Sequence, residues 1–287
     1  MTLTYDVILN RLHNDGYVVI PNIITENEIQ TALRYFNIWK SSLKNYEWTI
    51  PHGIFKFHEV GHQRHAWYLR TRSSIQDVFR FIWNTDDIIT SFDGSCYIPK
   101  SLSKKDTNWT HTDQAPISKG LKCYQSFVSL TDNRERTLVV YKGSHLLHEN
   151  YFKSKGITSP KNWHKIDTEY LHSIQHLRRV LYVPKGSLVL WDSRTFHQNQ
   201  YGAPESEQRI VQYICFLPKN HKDNSVSMQK KRKKYFDEKR TTSHWPYPIS
   251  VNGLQPQTYG DKTKEIDYSQ LPKIDVSDMQ RDINAIL

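Results

Sequence analysis

Apolar residues at helical spacing open the chain and are followed by a short apolar run. The apolar positions between residues 5 and 13 fall on one face of a helix, and the Asn-Asp-Gly sequence at 14–16 is typical of a helix end. Residues 17–20 are then continuously apolar or aromatic, which indicates a strand. The pattern predicts helix, turn and strand in that order.

A capping motif predicts a second helix. Thr25 stands three residues before Glu28, so that each side chain can bind a backbone N–H group beside the other. Apolar and aromatic residues continue behind this pair at helical spacing, and we expect the helix to cover about 26–40. A further helical pattern covers about 75–90.

The middle and later parts of the chain change to short β-rich runs. These runs cover 122–130, 137–141, 179–183, 187–191 and 210–217. They are rich in β-branched and aromatic residues and lack the intervening helices of a parallel sheet. They therefore predict antiparallel sheets arranged as a sandwich or a jelly roll.

Two long segments stand outside this strand pattern. Residues 143–176 are irregular and rich in polar and aromatic residues, and we expect this excursion to cover one mouth of the barrel. From about residue 218 the chain becomes basic and then rich in Pro, Tyr, Ser and Thr. We predict one domain over 1–217 and a C-terminal extension over 218–287 that packs on or wraps the core.

Cysteine usage and hydropathy favour a soluble, intracellular protein. Cys96, Cys123 and Cys215 lie far apart without Cys-x-x-Cys spacing, so neither a disulfide framework nor a cysteine zinc site is indicated. No apolar run approaches the roughly 20 residues that span a bilayer. We expect a cytoplasmic rather than a nuclear protein, and the sequence leaves the oligomeric state open.

The net charge of +10 favours anionic partners through long-range attraction, which keeps a nucleic acid open as a partner. Part of the excess lies in the five basic residues 230–234. Such a run more often forms a solvated helix face than a nucleic-acid site.

The chemistry begins with His111 and Asp113, which stand two residues apart. On a strand, residues two apart point to the same side about 6.6 Å from each other, so the imidazole and the carboxylate can converge on one metal ion. On a helix they would point away from each other. A His-x-Asp pair occurs often by chance, and alone it favours a surface histidine beside a capping aspartate.

A second segment favours a metal site over a surface histidine. An apolar strand at 187–191 delivers His197, and Arg209 follows twelve positions later at the head of another apolar strand. Two histidines and one carboxylate form the facial triad of non-haem iron oxygenases, which leaves three metal positions open. Two of these suit a bidentate 2-oxo acid and the third suits dioxygen. The planar fork of an arginine can bind the far carboxylate of 2-oxoglutarate with two hydrogen bonds.

These segments resemble the phytanoyl-CoA dioxygenase family of Fe(II)- and 2-oxoglutarate-dependent oxygenases. The resemblance is carried in order by HTDQAP, KCYQSFVSL, LVVYKGSHLLHENYF and PKGSLVLWDSRTFH followed by QRIVQYICF, which together cover about 109–217. The opening segment HNDGYVVIPNIITENEI also resembles the start of the family. The implied fold is mainly β with flanking helices, on a double-stranded β-helix core (jelly roll, cupin-like).

The resemblance also implies roles for particular residues. His111, Asp113 and His197 become the iron ligands, and Arg209 becomes the partner of the 2-oxoglutarate carboxylate. Asn199 matches a position that contacts the cosubstrate. Gln125 matches a pocket position near the cosubstrate, although a purely structural polar residue is an equal alternative. The implied cofactors are Fe(II), 2-oxoglutarate as cosubstrate and dioxygen.

The resulting hypothesis is a dioxygenase that hydroxylates or oxidatively demethylates a small metabolite or a lipid-like molecule. One alternative is an oxygenase that acts on a nucleic acid or another macromolecule. Another is a noncatalytic metal-binding module for interactions. The sequence does not identify the substrate.

Several other residues receive structural interpretations. The histidines at 58, 62 and 65 are interpreted as scattered exposed imidazoles rather than a zinc site, and His145 as a residue that orders a turn. Aromatic residues beside the proposed ligands are interpreted as core packing that keeps the site dry; these are Trp109, Trp191 and Phe196. Asp192 and Arg194 either pair internally or face the substrate.

Overall fold

The computed structural model describes residues 3–251 and 253–287. Contacts divide the chain into two compact units, each built from two segments. The first unit contains Met1–Asn22 and Ile98–Arg209, and the second contains Ile23–Tyr97 and Ile210–Leu287. The predicted domain boundary at residue 217 stays a prediction, and residues 1, 2 and 252 of the predicted ranges lie outside the described residues.

Helices and antiparallel strands are mixed along the chain. The helices are α1 (Tyr5–Asp15), α2 (Glu26–Ser41), α3 (Arg64–Arg70), α4 (Ser73–Trp83), α5 (His148–Ser154), α6 (Thr168–Ser173), α7 (Val226–Asp237) and α8 (Gln280–Ala285). The strands are β1 (Tyr17–Ile20), β2 (Ile54–Phe55), β3 (Ile88–Thr90), β4 (Ser95–Ile98), β5 (His111–Thr112), β6 (Tyr124–Ser129), β7 (Leu138–Tyr141), β8 (His164–Lys165), β9 (Arg178–Val180), β10 (Leu188–Asp192), β11 (His197–Asn199), β12 (Arg209–Tyr213) and β13 (Phe216–Pro218).

The elements predicted near the N-terminus are confirmed. Helix α1 ends where Gly16 takes a left-handed conformation with φ of 78°, which a glycine adopts without a steric penalty. Thr25 and Glu28 form the predicted capping box at the start of α2. The Glu28 carboxylate accepts from the Thr25 backbone N–H at 2.8 Å, and the Thr25 hydroxyl accepts from the Glu28 N–H at 3.3 Å.

Two predicted boundaries were wrong. The helix expected over 75–90 ends at Trp83, because Asn84 takes a left-handed conformation with φ of 50° and closes the helix. Asparagine tolerates this conformation better than most residues. The run at 210–217 forms two strands, β12 and β13, and β13 pairs antiparallel with β3.

Two antiparallel sheets build the first unit. Strand β10 lies between β1 and β6, with Leu190 opposite Val18 and Val189 opposite Phe127. The other sheet has the order β8-β5-β11-β7-β9. The start of β11 is central in this sheet, since His197 lies opposite His111 on one side and Val140 on the other. The predicted antiparallel pairing is thereby confirmed.

The excursion at 143–176 is more regular than the sequence pattern suggested, because it contains α5, α6 and β8. Its two helices bury Tyr151, Phe152 and Leu171 in one apolar cluster with Phe196. Because Phe196 directly precedes His197, this cluster fixes the backbone that presents the histidine.

The second unit has an aromatic core. Phe236 of α7 lies 5.7 Å from Trp67 and 5.9 Å from Phe92, measured between ring centroids. The hydroxyl of Thr241 accepts from the Gly61 N–H at 3.1 Å, and the buried Arg232 donates to the Thr90 carbonyl. Residues after 218 therefore pack on the 23–97 segment within this unit. None of the helices in the described ranges combines the length and the hydrophobicity that a membrane span needs.

The expectation that the histidines at 58, 62 and 65 are exposed was wrong. They are 5, 2 and 1% exposed. The ring of His65 packs against Phe36 at 5.1 Å, and its Nε2 lies 3.0 Å from the Ser95 hydroxyl. Burial lowers the pKa of both His62 and His65 to about 3, so both are neutral core residues.

These neutral histidines predict a loss of stability in acid. The ordinary pKa of 6.5 lies above the folded value of about 3, so the unfolded chain binds protons first as the pH falls below 6.5. Between about pH 6 and 4 the free energy of unfolding of the parent chain should therefore fall as the pH falls. In His65→Asn this fall should be smaller by up to about 1.4 kcal/mol per pH unit, because one of the titrating groups is gone. Urea unfolding at several pH values measures this slope. His172→Asn, which changes an exposed histidine, should leave the slope as in the parent chain, and equal slopes for both variants would contradict the interpretation.

Candidate metal centre

Three side chains of metal-ligand type meet where β5 and β11 pair. The rings of His111 and His197 lie 4.4 Å apart between centroids, and Asp113 follows directly after β5. One potential ligand atom from each of the three residues lies within 4.8 Å of the others. Within residues 3–251 and 253–287 this is the only such group of three or more His, Cys, Asp or Glu side chains.

The orientation of both imidazoles is set by backbone carbonyls. Nδ1 of His111 lies 3.1 Å from the Trp109 carbonyl, and Nδ1 of His197 lies 2.8 Å from the Thr195 carbonyl. Since a carbonyl only accepts, each Nδ1 carries a proton and donates. Each Nε2 is then left with a lone pair, which is the tautomer that binds a metal.

The carboxylate of Asp113 lies against both lone pairs. Its Oδ2 is 3.5 Å from Nε2 of His111 and 3.3 Å from Nε2 of His197. Burial, with a smaller contribution from His111, lowers the pKa of His197. Electron-rich atoms in such an arrangement repel each other unless a cation lies between them. The geometry therefore suits a metal ion bound by two nitrogens and one oxygen.

Gln125 holds the carboxylate in place. From β6, its amide Nε2 donates to Oδ2 of Asp113 at 2.9 Å, while its Oε1 is buried without a hydrogen-bond partner among the described residues. A hydrogen bond from outside the ligand set fixes the orientation of a metal ligand. The predicted contact between Gln125 and the cosubstrate stays a prediction.

Arg209 is a buried guanidinium without an acceptor among the residues that the structure describes. It is 0% exposed, and its Cζ lies 5.2 Å from the ring centroid of Phe127. Its Nε, Nη1 and Nη2 all lack a hydrogen-bond partner in the part of the chain that the structure describes. Phe127 and Gln125 are two apart on β6, so their side chains share one side of the strand about 6.6 Å apart. The guanidinium thus lies against a side chain on the same side of β6 as Gln125, and a buried charge of this kind calls for an anionic partner.

Asn199 lies on β11 two residues after His197, on the same side of the strand. It is 5% exposed, and its backbone carbonyl accepts from the indole N–H of Trp109 at 3.1 Å. Its predicted contact with the cosubstrate is not decided by these contacts and stays a prediction.

Indole rings surround the two histidines. Trp109 stacks on His111 at 4.8 Å, and Trp191 lies 5.3 Å from His197. Trp163 also stacks on His111 at 5.5 Å while it remains 52% exposed. Sequence reasoning missed Trp163, because its contact comes from the long excursion and no motif surrounds it.

Two smaller hypotheses have a clear structural outcome. Arg194 and Asp192 form a bidentate ion pair with distances of 3.0 and 2.7 Å. Of the two alternatives left open by the sequence, the structure therefore shows the internal ion pair. Nε2 of His145 lies 2.9 Å from the His13 carbonyl, so this residue ties its turn to α1.

Comparisons with known proteins identify one relative by sequence and several solved structures of similar fold. No family model matches the chain. The Ava biosynthesis cluster protein O of Aspergillus versicolor is 28% identical over 269 residues, which cover 83% of this chain and 85% of that protein. Among solved structures, the epimerase SnoN in complex with Fe3+ and α-ketoglutarate has a TM-score of 0.54 at 16% identity, over 75% of this chain and 83% of SnoN.

Two further solved structures are similar. HygX from Streptomyces hygroscopicus, with nickel and 2-oxoglutarate bound, has a TM-score of 0.54 at 13% identity over 77% of this chain and 89% of HygX. The non-haem monooxygenase ThoJ has a TM-score of 0.52 at 15% identity over 97% of this chain and 92% of ThoJ. The chain has the fold of the 2-oxoglutarate-dependent non-haem oxygenases. The resemblance to the phytanoyl-CoA dioxygenase type is thereby confirmed at the level of fold.

The unpartnered guanidinium predicts an unusual effect on stability. In this oxygenase fold, Arg209→Met should raise the free energy of unfolding of the ligand-free protein by about 1–3 kcal/mol, because it removes a buried unpaired charge and keeps an aliphatic contact with Phe127. Urea unfolding measures the difference.

Arg70→Met is the matched control for this effect. Arg70 is also 0% exposed, but it donates to the Gly61 carbonyl at 2.5 Å and to the Asp93 carbonyl at 2.8 Å. Its loss should destabilise the protein by about 1–3 kcal/mol, because two buried carbonyls lose their donors. A similar loss in Arg209→Met would show that Arg209 has partners in the ligand-free protein.

Proposed function

We propose that the chain is a non-haem Fe(II)- and 2-oxoglutarate-dependent dioxygenase, in which His111, Asp113 and His197 hold the iron and Arg209 binds the cosubstrate. One observation carries this proposal. A buried set of two imidazoles and one carboxylate lies in the same unit as a buried guanidinium that lacks an acceptor among the described residues. A noncatalytic metal-binding module would have no physical need for that guanidinium.

The residues of the site fit both Fe(II) and 2-oxoglutarate. Two histidine nitrogens and one carboxylate oxygen match the facial set that Fe(II) oxygenases use, and this set leaves three positions open. The planar fork of Arg209 matches a carboxylate and would satisfy its unpartnered N–H groups. When bound, iron and 2-oxoglutarate together supply the oxidation of an unactivated C–H bond by dioxygen.

The protein's own residues position these groups and exclude water. The carbonyls of Trp109 and Thr195 bind Nδ1 of each histidine and so hold Nε2 on the side of Asp113, and Gln125 fixes the carboxylate of Asp113. Indole rings shield the flanks of both imidazoles, which keeps the site dry. Asn199, on the strand of His197, is a second contact for the cosubstrate in this proposal.

The same proposal includes a double-stranded β-helix core, or jelly roll. The order β8-β5-β11-β7-β9 places the strand of His197 centrally, with the strand of His111 as one neighbour. This arrangement delivers both histidines from adjacent strands, which suits the mouth of such a core.

We propose a small molecule as the substrate and hydroxylation or oxidative demethylation as the reaction. The relative from Aspergillus versicolor is a biosynthesis cluster protein, and the SnoN complex contains nogalamycin RO. SnoN is an epimerase, so this fold also supports other outcomes at carbon.

The basic run at 230–234 does not favour a nucleic acid. It lies on α7, where Arg232 is buried against backbone carbonyls. Lys233 and Lys234 form i,i+4 pairs with Asp237 and Glu238. No contact in the described residues therefore supports the macromolecular alternative.

Metal binding tests the triad. His197→Ala should weaken Fe(II) binding by at least about 100-fold, because one of three ligands is lost and changes outside the ligand set already cost about 10- to 100-fold. Anaerobic calorimetry measures the affinity, and release of succinate from labelled 2-oxoglutarate should depend on added iron. His172→Ala, an exposed site, is the control, and retained affinity in His197→Ala would refute the ligand assignment.

Cosubstrate binding tests Arg209. Arg209→Ala should bind Fe(II) as the parent chain does but bind 2-oxoglutarate about 30- to several-thousand-fold more weakly, which corresponds to roughly 2–5 kcal/mol for a buried charge pair. Anaerobic titration of the iron-loaded protein gives both affinities. Near-normal affinity for 2-oxoglutarate would exclude Arg209 as its partner.

A further inference from the structure

Trp191 carries a buried hydrogen-bond donor, its indole N–H, for which the described part of the chain offers no acceptor. The side chain is 1% exposed, and its Nε1 has no hydrogen-bond partner among the residues that the structure describes. Buried indole N–H groups usually find a partner, and an unmet buried donor is costly enough to call for an explanation. The simplest explanation is a ligand that brings the acceptor.

The position of the indole identifies the region of that ligand. The ring of Trp191 lies 5.3 Å from the ring of His197 and 5.9 Å from the ring of Phe127. On the paired strands β10 and β6, Trp191 lies directly opposite Gln125, whose amide holds Asp113. Opposite residues of an antiparallel pair have Cβ atoms about 5 Å apart. The indole therefore lies beside the proposed metal ligands.

The donors available to each carboxylate of 2-oxoglutarate indicate which of the two the Trp191 N–H binds. The far carboxylate of 2-oxoglutarate has the several N–H donors of Arg209 available. At the metal end, the three ligands present lone pairs towards the metal, and the amide N–H of Gln125 already serves Asp113. A 2-oxo acid bound there brings a carboxylate oxygen that needs a donor, and the N–H of Trp191 is the buried unpartnered donor beside His197.

We propose that Trp191 is a positioning residue for the cosubstrate, whose indole N–H donates to the carboxylate at the metal end of the 2-oxo acid. This inference rests on the proposed function. It gives Trp191 a polar role in addition to its packing, and it makes 2-oxo acids the ligand class that the indole recognises.

The experiment compares two 2-oxo acids in the full-length, Fe(II)-loaded protein without oxygen. Pyruvate shares the 2-oxo acid head of 2-oxoglutarate but lacks the far carboxylate. Trp191→Phe should weaken the binding of both acids by a similar factor of about tenfold or more, as expected for a lost hydrogen bond to a charged group. Calorimetry gives the dissociation constants, and the iron-to-2-oxo-acid charge-transfer absorption reports chelation.

Two variants serve as controls. Arg209→Gln should weaken the binding of 2-oxoglutarate and leave the dissociation constant of pyruvate unchanged, because pyruvate has no far carboxylate. Trp39→Phe makes the same chemical change at a buried indole outside the proposed site, whose N–H already donates to the His58 carbonyl at 3.2 Å. It should change neither constant by more than about threefold, since no donor to the ligand is removed.

The outcomes separate this inference from the proposed function. If Trp191→Phe loses affinity for 2-oxoglutarate but not for pyruvate, the indole lies at the far carboxylate. If it loses affinity for neither acid, its N–H binds water or the substrate. Either result overturns the inference while the parent chain still binds 2-oxoglutarate. A parent chain that binds neither acid would instead overturn the proposed function.

A measurement on the parent chain avoids dependence on the folding of Trp191→Phe. In the zinc-loaded protein with ¹⁵N-labelled tryptophan, pyruvate should move one indole N–H signal downfield. Trp109→Phe and Trp163→Phe identify the signals of the other two indoles beside the histidines. The absence of a shift in any remaining indole signal would also overturn the inference.

Discussion

The structure of the site depends on holding three electron-rich atoms together in a buried place. Two imidazole nitrogens and a carboxylate oxygen lie within 4.8 Å of one another, and without a cation this arrangement is unfavourable. The surrounding backbone compensates by fixing each participant independently. The carbonyls of Trp109 and Thr195 orient the rings, and Gln125 orients the carboxylate. Such preorganisation means that a metal ion meets ligands that need little rearrangement.

The same logic extends across the first unit. Arg209, Trp191 and Gln125 each keep a polar group buried without a partner in the described residues. Gln125 donates to Asp113, Trp191 lies beside His197, and Arg209 lies against Phe127. Native proteins rarely leave buried polar groups unmet, and exceptions concentrate where a ligand binds. Arg209 and Trp191 offer donors that suit an anionic ligand, whereas the free atom of Gln125 is an oxygen that accepts.

Local signals in the sequence predicted much of this arrangement. The capping box of Thr25 and Glu28, the strand of residues 17–20 and the four residues of the metal and cosubstrate hypothesis depend on short motifs, and such motifs can be read without tertiary structure. The contacts of Trp163 and Gln125 could not be read in this way, because each arises from segments far apart in the chain. The exposed interpretation of the histidines at 58, 62 and 65 failed for the same reason. Their burial is created by aromatic residues from other elements, such as Phe36, and no local pattern reveals it.

The excursion between β7 and β9 has a wider consequence. Its helices α5 and α6 pack on Phe196, the residue immediately before His197, and its Trp163 covers one face of His111. This one segment therefore contacts the supports of both imidazoles. Under the proposed function, a sequence change in the segment that alters the choice of substrate would also disturb the metal ligands, which restricts the changes that the segment can accept.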